Sequence, residues 1–170
     1  MLEWVLIIWY YKTMINNSGN FTHKAQEAIM AAQDLARNKG QQQVDALHLM
    51  AALLDQEESV ILNLLQRIGV DIESLKKKCS LALDRMPMLA TPQSFGQFYL
   101  TQDMAKILDR ARSEASKMGD EFISIEHLFL ALLDTQTKAK EVLDRADFSG
   151  GAGGAASALE SARLDYNAFL

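Results

Sequence analysis

"HLMAALLD" occupies residues 48–55, and "HLFLALLD" occupies residues 127–134, 79 positions later. Aligning residues 22–55 with 101–134 without a gap gives ten identities: Thr22/Thr101, Ala32/Ala111, Ala36/Ala115, Gly40/Gly119, His48/His127, Leu49/Leu128, Ala52/Ala131, Leu53/Leu132, Leu54/Leu133 and Asp55/Asp134. Ile29/Leu108, Val44/Ile123 and Met50/Phe129 are conservative pairs. After a one-residue deletion the match resumes at Leu65-Gln66-Arg67 against Leu143-Asp144-Arg145. This is an internal duplication. Two copies are too few for a solenoid. They are expected to pack face to face as one pseudo-twofold domain.

Each copy reads as helices. Phe21, Ala25, Ala28, Ile29, Ala32, Leu35 and Ala36 recur at three- and four-residue spacing and form one apolar face. Thr22 can cap that helix at its start, and Gly40 suits a left-handed cap at its end. A short turn, "QQQV", leads to Asp45, the next N-cap. "ALHLMAALLD" is apolar nearly all round, so it belongs at the centre. "SVILNLLQRIGVD" gives a third helix ending at Gly69, and Asp71 caps a fourth over "IESLKKKCSLALDRM". The second copy repeats the plan: Thr101 caps 102–118, Gly119 ends it, Ser124 caps "IEHLFLALLD", and "KAKEVLDRADF" matches the third helix. The expected fold is all-α, two pseudo-twofold-related repeats of about four helices each.

The expected organisation has five parts. Residues 1–16 are an apolar extension. The domain covers 17–148, with repeat one at 21–79, a proline-containing crossover loop at 86–100 and repeat two at 101–148. A Gly/Ala-rich flexible segment, 149–163, follows, and 164–170 begin a helix too short to stand alone. "MLEWVLIIWYYK" is shorter than the roughly 20 apolar residues of a membrane helix. It also lacks the basic leader and cleavage site of a secretory signal. Met14 offers a later start, so residues 1–13 are read as a start-site artefact or a non-essential extension.

Composition narrows function. A net charge of -5 disfavours nonspecific nucleic-acid binding. The single cysteine, Cys79, excludes an internal disulfide and a cysteine-built zinc site. No G-x-x-x-x-G-K-[ST] motif occurs, so this chain has no P-loop for ATP. His48 and His127 lack clustered further ligands and are expected to pack at the starts of the central helices, bonded to backbone. Lys76, Lys77 and Lys78 read as a solvated face. They could lower the Cys79 pKa, but a packed, inert thiol is expected. Met86, Met88, Phe95, Phe98 and Tyr99 either contact a partner or close the seam between repeats; the seam is favoured.

"FTHKAQEAIMAAQDLA", "GQQQVDALHLMAALLDQEESVILNLLQRIGVD" and "MGDEFISIEHLFLALLD" resemble the tandem Clp repeat domain at the N-terminus of Clp/Hsp100 AAA+ ATPases. Within that family they look most like the ClpB-type disaggregases. The resemblance covers about residues 17–148, with a trace in "LDYNAFL". It implies a mobile, non-enzymatic module that captures exposed apolar segments of unfolded or aggregated polypeptides for a parent AAA+ hexamer, in concert with a DnaK-type chaperone; the single cysteine fits a reducing, cytoplasmic setting. No nucleic acid, membrane, metal or cofactor is implied; ATP belongs to downstream domains. The resemblance associates Thr22, Asp120 and Glu126 with client handling. The residues alone also allow a bland reading of these three, as helix termini and turn chemistry. Alternatives are an adaptor-docking domain of a protease-coupled Clp ATPase, a stand-alone Clp-repeat regulator, or an enzyme on a helical bundle. The missing catalytic constellation argues against the last.

Overall fold

The computed structural model describes residues 20–88 and 99–148. Repeat one contains α1 (His23–Asn38), the two-residue strand β1 (Gln43–Val44), α2 (Ala46–Asp55), α3 (Val60–Arg67) and α4 (Ile72–Asp84). Repeat two contains β2 (Tyr99–Leu100), α5 (Gln102–Met118), α6 (Ile125–Asp134) and α7 (Lys138–Asp144). Four helices and three helices are thus described in the two repeats. The segments assigned above to 1–16, 149–163 and 164–170, and Phe95 and Phe98, lie outside the described residues.

The helix ends follow the residues that chemistry demands there. Thr22, Asp45, Ser59, Asp71, Thr101, Ser124 and Thr137 are the seven N-caps. Gly40, Gly69 and Gly119 take φ of 65°, 87° and 73°, where a side chain would be strained, and each follows a helix end.

The central helices carry the core. Eight of the ten residues of α2 are buried, and α2 packs against every other described helix. On α1 the faces turned inward are Ala25, Ala28, Ala32 and Ala36, all fully buried, while Phe21, Ile29 and Leu35 pack at its margin. Their equivalents on α5 are Met104, Ile107, Ala111 and Ala115. Four alanines let α1 lie close on α2; of the four equivalents on α5 only Ala111 and Ala115 are small, and Met104 and Ile107 fill the space against α6.

Two features were absent from the sequence reading. "QQQV" is not only a turn and "FYL" not only loop: Gln43 pairs with Tyr99 and Val44 with Leu100, in parallel. Two-residue strands leave no periodicity to read, and their partner is distant in sequence. The second feature joins the far ends of the repeats. Val70 and Phe148, equivalent positions in the two copies, form an antiparallel bridge, and the Asp71 N–H donates to the Asp147 carbonyl at 2.9 Å. The Asp147 carboxylate accepts from the Ser74 hydroxyl and pairs with Lys78 at 2.9 Å. These contacts, the serine bond first, hold its pKa below the usual carboxylate value.

Candidate functional site

The residue before each outer helix reaches across to the other repeat. Leu100 pairs with Val44, and the Thr101 N–H donates to the Val44 carbonyl at 3.0 Å. Shifting by one repeat, Phe21 pairs with Ile123, and the Thr22 N–H donates to the Ile123 carbonyl at 2.9 Å. The Ile123 N–H in turn donates to the Asn20 carbonyl. The two junctions are pseudo-twofold mates, built from the same backbone bonds.

Their side chains differ. At the first junction the Thr101 hydroxyl donates to Asp45 Oδ2 at 2.7 Å, and Asp45 Oδ1 accepts from the Leu47 N–H at 3.0 Å. Asp45 and Leu47 are buried, so this junction is sealed on its α2 side, while Gln43, the mate of Phe122, is exposed and Thr101 is half-buried. At the second junction the matching residues are Thr22, Ser124 and Glu126. The Thr22 oxygen accepts from the Ala25 N–H at 3.3 Å. Its own proton and the Glu126 carboxylate have no protein partner among the described residues. Ile123 is buried while its neighbour Phe122 is 47% exposed, and Thr22 is half-buried. The second junction is therefore open, polar at its rim and apolar at Phe122.

A histidine supports each junction. His48 is fully buried; its Nδ1 accepts from the Asp45 N–H at 2.9 Å and its Nε2 lies 2.7 Å from Gln41 Oε1. Gln41 is sealed as well, donating to the Leu83 carbonyl at 2.7 Å. With Nδ1 accepting, the ring is the neutral tautomer carrying its proton on Nε2. Burial, opposed by the nearby Asp45 charge, holds the His48 pKa below the ordinary value. His127 repeats the cap, its Nδ1 accepting from the Ser124 N–H at 2.9 Å. Its Nε2 meets Asp120 Oδ2 at 3.0 Å, and Asp120 stands where repeat one has Gln41. The expected packing of both histidines against backbone is what the structure has.

Of the three candidates, Thr22 and Glu126 occupy helix starts and Asp120 follows a turn, and the Phe21–Ile123 bridge sets Thr22 beside residue 123, which lies between Asp120 and Glu126 in the chain. Phe122 was missed because one exposed aromatic in "GDEFIS" looks no different from a core residue. The Asp120–His127 pair was also missed: Asp120 aligns with Gln41, but only the His48–Gln41 contact in the structure shows that this position meets the histidine.

The other candidates settle elsewhere. Met86 packs against the core and Tyr99 is half-buried in β2, as a seam requires, but Met88 is 68% exposed. Lys76 and Lys78 are not merely solvated: they pair with Asp55 at 3.1 Å and Asp147 at 2.9 Å. Cys79 is buried against the Leu47 carbonyl, and burial, aided by Asp55, pushes its thiol up to about 12. The neighbouring lysines do not activate it. Ellman's reagent at pH 8 should leave Cys79 unmodified in the folded chain and titrate one thiol in denaturant. Fast reaction without denaturant would contradict this burial.

In repeat two alone, Glu114 accepts from Lys117 at 2.9 Å and from Arg110 at 3.0 Å, and Arg110 also holds Asp134 at 3.0 Å. Burial would raise the Glu114 pKa, but the two cations outweigh it and the pKa is lowered. This cluster ties α5 to the end of α6. Among the described residues no group of three or more His, Cys, Asp or Glu could hold a metal ion, and no helix is long and apolar enough to cross a membrane.

The model of the Clp repeat N-terminal domain matches residues 20–146. The chaperone protein ClpB of Bacillus cereus is 35% identical over 125 residues, which are 73% of this chain and 14% of that protein. The chain thus aligns with only a small part of the curated relatives' length. Among solved structures, the Hsp104 N-terminal domain from Candida albicans has a TM-score of 0.73 at 20% identity, covering 87% of this chain and 91% of that one. The N-terminal domain of the caseinolytic protease associated chaperone ClpD from Arabidopsis thaliana has a TM-score of 0.59 at 19% identity, covering 87% and 97%. The duplicated helices, the backbone pairings between the repeats and these matches together place the chain in the family of Clp repeat N-terminal domains of Clp ATPases.

Proposed function

We propose that this domain captures exposed apolar segments of unfolded or aggregated polypeptides through the open junction formed by Thr22, Asp120, Phe122 and Glu126. The observation that carries the reading is the asymmetry between the junctions. One is closed by Thr101, Asp45 and Leu47; its mate leaves the Phe122 ring and the Asp120 carboxylate exposed beside the half-buried Thr22 hydroxyl and Glu126 carboxylate. An apolar client segment can cover Phe122 while its free backbone N–H groups find the carboxylates and its carbonyls the Thr22 hydroxyl. The domain itself performs no chemistry in this reading. Delivery to a parent AAA+ hexamer, cooperation with a DnaK-type chaperone and a cytoplasmic setting belong to the same proposal, through the similarity to ClpB.

The test is binding of reduced, carboxymethylated lactalbumin, a permanently unfolded chain, followed by fluorescence anisotropy. Phe122→Asp should weaken binding about tenfold or more, since it removes a central aromatic contact. Thr101→Ala, at the sealed mate, should leave binding unchanged. Equal binding by wild type and Phe122→Asp would overturn the reading. The fold shared with the ClpD domain also suits a second reading, docking of one folded adaptor. Stoichiometric capture of one folded partner, without affinity for the unfolded chain, would favour it.

A further inference from the structure

We propose that His127 is a positioning residue for the client surface: it holds one oxygen of Asp120 so that the other faces the open junction. The inference rests on the reading of that junction given above. Three observations carry it. His127 is 3% exposed and rigidly placed, with Nδ1 accepting from the Ser124 N–H at 2.9 Å and the Ser124 hydroxyl 3.0 Å away. Its remaining nitrogen has a single described partner, Asp120 Oδ2 at 3.0 Å, and the Asp120 side chain is 51% exposed. Asp120 Oδ1 has no protein partner among the described residues.

The repeat supplies an internal control. His48 makes the same cap, but its Nε2 ends on a buried, neutral Gln41 that is itself tied to the Leu83 carbonyl. In repeat one the imidazole closes a buried network. In repeat two the same imidazole carries a charged acceptor at the surface. An unsupported aspartate after a turn would sample several rotamers. Fixing it beforehand removes the ordering cost from the binding step.

The experiment compares lactalbumin binding by the full chain and by His127→Asn, Asp120→Ala, the double variant and His48→Asn. Asparagine keeps an acceptor near the Nδ1 position for the Ser124 N–H but is too short to reach Asp120. Asp120→Ala and His127→Asn are each expected to weaken binding about five- to tenfold, and the double variant no further, because the two side chains act as one unit. His48→Asn makes the same change at the mate position and should bind as wild type.

Wild-type binding by His127→Asn alongside impaired Asp120→Ala would overturn the role of His127 and leave the junction intact. Equal weakening by His48→Asn would overturn it too, by showing a general loosening of central helices. If Asp120→Ala binds normally, Asp120 is no part of the client surface and the proposal falls with it. If a histidine variant does not fold, the NMR signal of the His127 Nε2 proton decides. It should be protected in the wild-type chain and exchange rapidly in Asp120→Ala; no change would refute the contact.

Discussion

Replacing Leu53 by alanine is expected to cost about 2–5 kcal/mol, a large part of the stability of a domain this size. Leu53 is 1% exposed on α2, the helix that touches all the others. The loss has two parts. The removed methyl groups forfeit their transfer free energy, and the cavity left behind cannot collapse, because helices on several sides meet there. Leu132, its mate on α6, is fully buried and should behave alike. A surface leucine makes the contrast: Leu81 is 50% exposed, and Leu81→Ala should shift stability by less than about 1 kcal/mol. Urea unfolding followed by circular dichroism measures all three. A small loss at Leu53 would mean that α2 is not the core helix.

The second large effect is at His48. His48→Ala should cost about 2–4 kcal/mol, since it opens a cavity and strips the Asp45 N–H and Gln41 Oε1 of their buried partner. Its titration gives stability a definite pH dependence. The folded-state pKa lies below the ordinary histidine value of 6.5, because burial disfavours the charged ring. Above 6.5 both states hold a neutral ring and the contribution is fully present. As pH falls below 6.5 the unfolded chain takes up a proton that the folded chain refuses, so stability declines until the folded ring protonates in turn. Melting temperature should therefore drop between pH 6.5 and 5. His48→Gln keeps an acceptor in the capping position but does not titrate. It should be less stable at pH 7.5 and show a shallower fall. An unchanged slope in His48→Gln would assign the pH dependence to other groups.

Much of this domain was legible because its instructions are local and written twice. Thr22, Asp45, Asp71, Thr101 and Ser124 cap helices wherever a free backbone N–H needs an oxygen, and Gly40 and Gly119 end them wherever φ turns positive. Neither choice depends on what lies across the fold. The apolar character of "HLMAALLD" and "HLFLALLD" likewise required central helices, since no exposed face was available to them. The site was legible only as three separate polar residues whose chemistry also fitted helix ends and a turn.

Contacts between the repeats could not be read the same way. The pairing of Phe21 with Ile123 and of Val44 with Leu100 uses backbone groups common to all residues, so nothing in the side chains announces it. Whether Phe122 faced the core or solvent followed from that pairing, as did the placing of Thr22 beside residue 123, between Asp120 and Glu126 in the chain. The sequence by itself determined the duplication, the helices and their caps, because those depend on near neighbours and periodicity. Only the tertiary structure decided which junction is sealed and which is open. That depends on the residue at one repeat position: the Asp45 carboxylate reaches across to Thr101, whereas Ser124, which replaces it in repeat two, bonds its own His127.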